Sequence, residues 1–346
     1  MKELANLLEV LRSRAPWRTV AAPLLKSVGF TVKRGVEDTI EEILADEGSA
    51  ARLNELRNAM AEHLVAGEKL LRVYEADGKK RERLIAWSTK KQRGSSPLVE
   101  SYLGVPDSSV LAEQEDQAPQ FIATREADDG IAAIFTASRS YTRRVPLAPA
   151  DLRPTLDVSV FEKIYGVTKV RAQTYDVLWI PYEEDYIYIA CDSPEEAPVE
   201  FGELSALAIQ AMVIRALSDR VTPANLWPSI EGLYQTPSGS CVELGFLTDT
   251  DSVKMHKSRK RGKCLRKDKY HIGGASVVGA NLHPYRVAMR WKHRLSEELV
   301  TAPEVQLPGT ARAAFKPNPE LNHAFVRNCL NIRDLRFVLS KIVAHI

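Results

Sequence analysis

Residues 254–269, KMHKSRKRGKCLRKDK, hold nine Lys or Arg against one Asp, a local balance of +8. Residues 79–93, KKRERLIAWSTKKQR, hold seven against one Glu, a balance of +6. The whole chain carries only +2, so the remainder carries −12. Positive charge is therefore concentrated, and attraction to a polyanion follows the local field more than the net charge. Clustered cations neutralise several phosphates at once and release counterions. The expected contacts in the first run are Lys254, Lys257, Arg259, Lys260, Arg261, Lys263, Arg266, Lys267 and Lys269. In the second they are Lys79, Lys80, Arg81, Arg83, Lys90, Lys91 and Arg93. Tyr270, with Trp291 on a neighbouring strand, offers rings for stacking on an exposed base. No base-reading code is visible, so the expected binding is led by the nucleic-acid backbone.

Glu243, Asp249 and Asp251 are carboxylates beside the stronger basic run. Around a divalent ion such a group activates water, and the neighbouring cations would hold a phosphodiester substrate. Thr248 to Ser252 is also good turn composition between two strands, and that reading is preferred. Cys241, His256, Cys264 and His271 are zinc-ligand types, but their spacing lacks the short pairs of a structural zinc module. Neither a metal nor another cofactor is expected. Gly274 and Gly279 in HIGGASVVGAN have phosphate-loop spacing without the Lys-Ser/Thr that such a loop needs. His283 and His293 are the remaining general-base candidates, and no nucleophile pattern accompanies them.

The elements that must position these residues read as α+β. Helical spacing of Leu4, Leu7, Leu8 and Leu11 begins a helical segment that reaches residue 66, with Gly29 closing its second helix. Residues 36–46 and 49–65 read as two more helices, the second capped by Ser49. KLLRVYEA and RERLIAW read as a basic β-hairpin turning at Asp77-Gly78. Helices followed by a basic hairpin resemble the element order of a winged helix. The helix at 36–46 is rich in Glu and Asp, so phosphates would repel it, and it suits a protein partner better.

Residues 94–118 read as a linker. QFIATRE with GIAAIFTAS, and TYDVLWI with YIYIAC, read as hairpins, with a helix over 157–165 between them and another from Glu203 to Ser218 that is apolar on nearly every side. SCVELGFLT, SVKMHKS, KCLRKDKYHI and YRVAMRWK read as strands, followed by two closing helices, the first starting at Asn318-Pro319. The expected domains are a helical one with a basic hairpin over 1–93, an α+β middle one over 119–222, and a β-rich one over 223–346.

The N-terminus lacks the uninterrupted apolar centre of a secretory signal, and no apolar run is long enough to span a membrane. Four cysteines without a CxxC fit a reducing compartment. A cytoplasmic, non-enzymatic protein that binds DNA or RNA within a larger assembly is the leading expectation. A metal-dependent nuclease and a protein-interaction scaffold are the alternatives.

Overall fold

The computed structural model describes residues 2–152, 161–248, 252–258, 263–278 and 282–346. The chain opens with α1 (Lys2–Arg14), a π-turn at Trp17–Ala21, α2 (Ala22–Ser27), α3 (Val36–Ala45) and α4 (Leu53–Ala66). Leu4, Leu7, Leu8 and Leu11 of α1 pack on Leu24, Leu25, Leu56 and Met60, so these helices share a core of their own. Gly29 ends α2 at φ +86, a conformation that a side chain would strain. Ser49 is not the cap of α4; its hydroxyl bonds Asp46 one turn before the helix starts.

Next come β1 (Lys69–Glu75), α5 (Gly78–Lys90), α6 (Pro97–Glu100), α7 (Ser108–Glu113), β2 (Gln120–Ala127), β3 (Gly130–Leu147), β4 (Ile164–Pro181) and β5 (Tyr186–Asp192). They are followed by α8 (Val199–Leu217), β6 (Thr222–Pro223), α9 (Pro228–Gln235), β7 (Ser240–Leu247), β8 (Val253–Lys257) and α10 (Lys269–Val278). The last elements are β9 (His283–Arg290), β10 (His293–Arg294), β11 (Val300–Thr301), β12 (Glu304–Leu307), α11 (Ala311–Ala314), β13 (Ala324–Arg327) and α12 (Ile332–Val343).

The fold class is α+β. One large antiparallel sheet runs β2-β3-β4-β5-β1-β13-β12-β9-β7-β8. β1 lies inside it, paired on one side with β5 and on the other with β13. Hydrogen bonding in this sheet therefore crosses the segment limits drawn near residues 94–118 and 222. Alternation sends Leu71 and Val73 to one face and Leu70 and Tyr74 to the other. The first face is covered by α4, α9 and α12, the second by α5 and α8. Cover on both faces explains why β3 and β4 read as long apolar runs. Among the described residues no helix is long and apolar enough to cross a membrane.

The expected hairpins form as β2–β3 and β4–β5, and the strands expected on either side of residues 248–252 pair as β7–β8. Four expectations are corrected. Residues 78–90 are a helix, not the second arm of a hairpin: Asp77 caps it by accepting from Lys80 N, and Arg81, Leu84 and Ser88 make one buried helical stripe. The winged-helix element order is lost with that hairpin. KCLRKDKYHI is not a strand; it forms a 3-10 turn at Leu265–Lys267 and then α10. Asn318-Pro319 opens no helix, and only α12 closes the chain, capped by Asn331 through Arg333 N and Asp334 N. α8 forms, yet Leu204 and Leu207 on it are exposed, so it is buried on one side only. Of the helix expected over 157–165, residues 157–160 lie outside the described residues, and Ile164 begins β4.

The cation Lys69 is wholly buried at the start of β1. Its Nζ donates to Leu64 O at 2.7 Å, Tyr175 O at 2.6 Å and Asp192 Oδ1 at 2.5 Å. Asp192 also accepts from Tyr175 N at 2.8 Å and from Arg14. Beside this group lies His63, whose Nδ1 meets Cys329 O at 3.1 Å. Burial, then the nearby Lys69 charge, push the His63 pKa down to about 4. The folded protein thus holds His63 neutral, while the unfolded chain protonates it near 6.5. Its contribution is fully present above pH 6.5 and falls as pH drops toward 4. The expected loss is about 3 kcal/mol over that window. Urea unfolding at several pH values should show His63→Gln with a flatter dependence than the parent. Equal slopes would remove His63 from the account.

Candidate functional site

β8 is the last strand of the sheet, and its only strand neighbour among the described residues is β7. The chain then turns back at 263–267 against β7 and enters α10. A ring cluster holds α10 to the sheet. Phe246 of β7 touches His256 of β8 at 5.3 Å and His271 of α10 at 5.9 Å between centroids. His256 and His271 lie 5.8 Å apart, and Tyr270 lies 5.5 Å from His256. Tyr234 OH meets His271 Nε2 at 2.9 Å. Burial first, and the nearby His256 second, lower the His271 pKa.

The cations of this corner divide by role. Lys254, Lys263, Lys267 and Lys269 are exposed. Lys257 is also exposed, with Nζ 3.4 Å from Glu243. Arg266 is engaged within the fold. Its guanidinium donates to Tyr234 O at 3.1 Å, Gly239 O at 2.8 Å, Ser238 O at 3.4 Å and Thr236 O, and its Nε reaches Cys264 Sγ at 3.4 Å. It thereby pins the 263–267 turn onto the segment joining α9 to β7. Gly239 in that segment has φ +75, and Trp291 fills the space a Cβ would need. Arg259, Lys260 and Arg261 lie outside the described residues. Tyr270 is 77% exposed, so its ring is open to a ligand. Trp291 is buried, and stacking on it is excluded by that burial.

The basic run 79–93 lies on and after α5, which packs on α8 and not beside β8. Arg81 is buried and bonds Ala76 O at 2.9 Å and Asp185 at 3.1 Å. Lys80 pairs with Asp219 at 3.0 Å. Lys91 lies over the Trp87 ring, and burial lowers its pKa. Arg93 donates to Val99 O at 2.9 Å. Lys79, Arg83 and Lys90 are exposed. The structure does not bring the two basic runs together.

Glu243 is buried on β7 and engaged by Arg286 at 2.5 Å, Gln306 at 3.0 Å and Lys257. These donors hold its pKa down against burial, which pushes it up. Any metal there would have to displace them. Asp249 and Asp251 lie outside the described residues. Cys241 and Cys264 sit together, with Cys264 Sγ accepting from Cys241 N at 3.3 Å, while His256 and His271 form a separate ring pair. Among the described residues no group of three His, Cys, Asp or Glu is placed to hold a metal ion. Gly274 lies within α10, and Gly279 is outside the described residues. His293 bonds the buried Asp334 at 2.7 Å and stacks on Phe337, and His283 is an exposed residue at the start of β9.

One polar region went unread in the sequence. A cleft of about 720 Å³ opens beside the Lys69–Asp192 pair, with Arg14, His63, Glu68, Tyr141, Gln173 and Phe201 among its walls. Asp176, wholly buried nearby, has its pKa raised by burial and by Asp192. The available signal was a charge inside an apolar strand: Lys69 in KLLRVY, Asp176 in TYDVLWI and Asp192 ending YIYIACD.

The chain matches no protein-family model, no curated protein and no solved structure. The functional reading therefore rests on geometry and charge. If Arg266 is an internal clamp, Arg266→Ala should cost about 2 kcal/mol of stability, whereas Lys269→Ala should stay within about 0.5 kcal/mol. Chemical denaturation of both variants measures this, and equal losses would contradict the division of roles.

Proposed function

We propose that this protein binds nucleic acid through the β8–α10 corner, with contacts led by the phosphate backbone. The observation that carries the reading is the exposure of Lys254 on β8, Lys263 and Lys267 of the following turn, and Lys269 of α10, together with the exposed Tyr270 ring. Ammonium groups on flexible stems suit phosphates at variable positions. Tyr270 adds a stacking platform that favours unpaired bases. No catalytic step is assigned, because Glu243 is already held by three donors.

A second reading has its own support. Ile272 and Val277 of α10 are exposed, as are Val253 and Met255 of β8. Those apolar side chains among lysines also suit an acidic protein partner. The acidic helix α3 is a separate surface for such a partner, with Glu37, Asp38 and Glu41 exposed.

The test is a salt titration of binding to single- and double-stranded DNA and RNA. Changing Lys254, Lys263, Lys267 and Lys269 together to Ala should weaken binding and flatten the log–log salt slope by up to about 0.9 per lysine on a duplex. Tyr270→Ala should cost about 1–3 kcal/mol on single strands and little on duplexes. Absence of any nucleic-acid binding by the parent would leave the protein-partner reading in its place.

A further inference from the structure

The β3–β4 ladder is much longer than its neighbours. It runs without a register shift from Gly130↔Pro181 to Leu147↔Ile164. β2 covers β3 only as far as Thr136, with one further bridge from Glu115 to Ser138, and β5 covers β4 only over Val177 to Trp179. From Ala137↔Thr174 outward the two strands continue as a two-stranded ribbon, at roughly 3.4 Å per residue. Such a ribbon is marginal alone in water, and an uncovered strand edge is a template for pairing.

Where β5 ends, side chains take over its hydrogen bonds to β4. Asp192 accepts from Tyr175 N, Lys69 donates to Tyr175 O, and Arg14 donates to Gln173 O at 2.7 Å. These bonds fix which residues turn their backbone groups away from β3. By the two-residue period they are Tyr175, Gln173, Arg171, Lys169, Val167 and Tyr165. Beyond Gln173, β4 has no strand partner on this edge among the described residues.

The side chains of the same residues share one face. Val167 is 68% exposed and Tyr165 is 52% exposed, which is unusual for apolar groups on a strand. Lys169 and Arg171 are both held by Glu115, at 2.5 and 2.7 Å. Their charge is therefore partly balanced within the chain and is a poor match for phosphates.

We infer that this edge pairs with the same edge of a second copy, around a two-fold axis through Val167. In that register Val167 faces Val167 of the second copy at the centre. Tyr165 lies opposite Lys169 of the second copy, a cation–aromatic pair formed twice. A centre on Lys169 would instead oppose two ammonium groups. A centre on Tyr165 would put Val167 against Lys163. The apolar and charged positions thus select one register. The segment Phe161 to Lys163 then runs toward the second copy's cleft beside Gln173. Gln173 there is only 4% exposed, and its Oε1 has no hydrogen-bond partner within the chain. The resulting four-stranded ribbon buries the free edge of each chain.

The experiment uses the full chain without nucleic acid. Opposed residues of a hydrogen-bonded antiparallel pair lie about 5.5 Å apart at Cα, inside the range a disulfide spans. Val167→Cys under mild oxidation should give a covalent dimer on a non-reducing gel. Thr168→Cys, on the opposite face, should remain largely monomeric. The four native cysteines provide a low background, since Cys191, Cys241 and Cys329 are buried and Cys264 is half-buried. Sedimentation of the parent should show concentration-dependent dimer. Val167→Pro removes an N–H that faces the open edge and spares the ladder to β3. It should shift the protein to monomer with an unchanged circular dichroism spectrum. A parent that stays monomeric would overturn the inference, even if an extended peptide of another protein were found on the edge. So would a dimer that Val167→Pro leaves intact, or equal cross-linking at positions 167 and 168.

Discussion

A buried ammonium group costs several kcal/mol unless every donor is met, and Lys69 meets this condition by joining four elements. It lies on β1, and its partners are the end of α4, the backbone of β4 and the carboxylate that ends β5. Removing either carbonyl leaves a buried donor unmet, and removing the carboxylate leaves a charge in the core without its counter-ion. The same residue ties the central strand to β4 and β5 beside the adjoining cleft, whose wall includes its partner Asp192. Asp176 and Arg139 extend the network, with Ser205 receiving the Arg139 Nε hydrogen. The mixed charges of this region are architecture before they are chemistry. They stand where backbone-to-backbone hydrogen bonds would otherwise run.

The two basic runs show a division of labour between cation types. Arg266 directs its guanidinium onto four backbone carbonyls, Arg81 onto those of Ala76 and Tyr182, and Arg93 takes one more. A planar fork with five donors is suited to gathering carbonyls at the end of a helix or in a turn. The lysines are mostly left at the surface, with Lys80 and Lys257 paired to acids. A count of positive residues therefore overstates what is offered to a ligand. What remains open is a smaller set around one edge strand and one short helix.

β-branched and aromatic residues bounded by turn residues made the hairpins β2–β3 and β4–β5 legible, and β7 and β8 were legible as strands around a turn. Leucine spacing did the same for α1 and α4, and Gly29 for the end of α2. RERLIAW misled because Asp77-Gly78 before it is turn composition and its short apolar run, Leu84 to Trp87, also suits a strand. Only the Asp77 cap and the 81–84–88 stripe separate a helix from a strand there. KYHIGGASVV combines β-branched residues with a Gly pair, both poor helix signals, and its helix is held by ring contacts with β7 and β8. The single sheet was invisible because its central pairings join residues from distant parts of the chain, which no local window samples. Lys69, Asp176 and Asp192 were visible as charges in apolar strands, but a single sequence does not say what they pair with.

That central position also sets an order of events. Glu68, beside the start of β1, bonds the backbone of Asn328 across 260 residues of chain. During synthesis β1 emerges long before β13, the strand that flanks it on one side. Until then one edge of the middle strand has no partner. Loop closure over such a span must precede its reward, which slows folding and prolongs the life of partly assembled forms. While that intervening stretch is made, the centre of the sheet is half-built, a period in which a chaperone has an unpaired strand to shield.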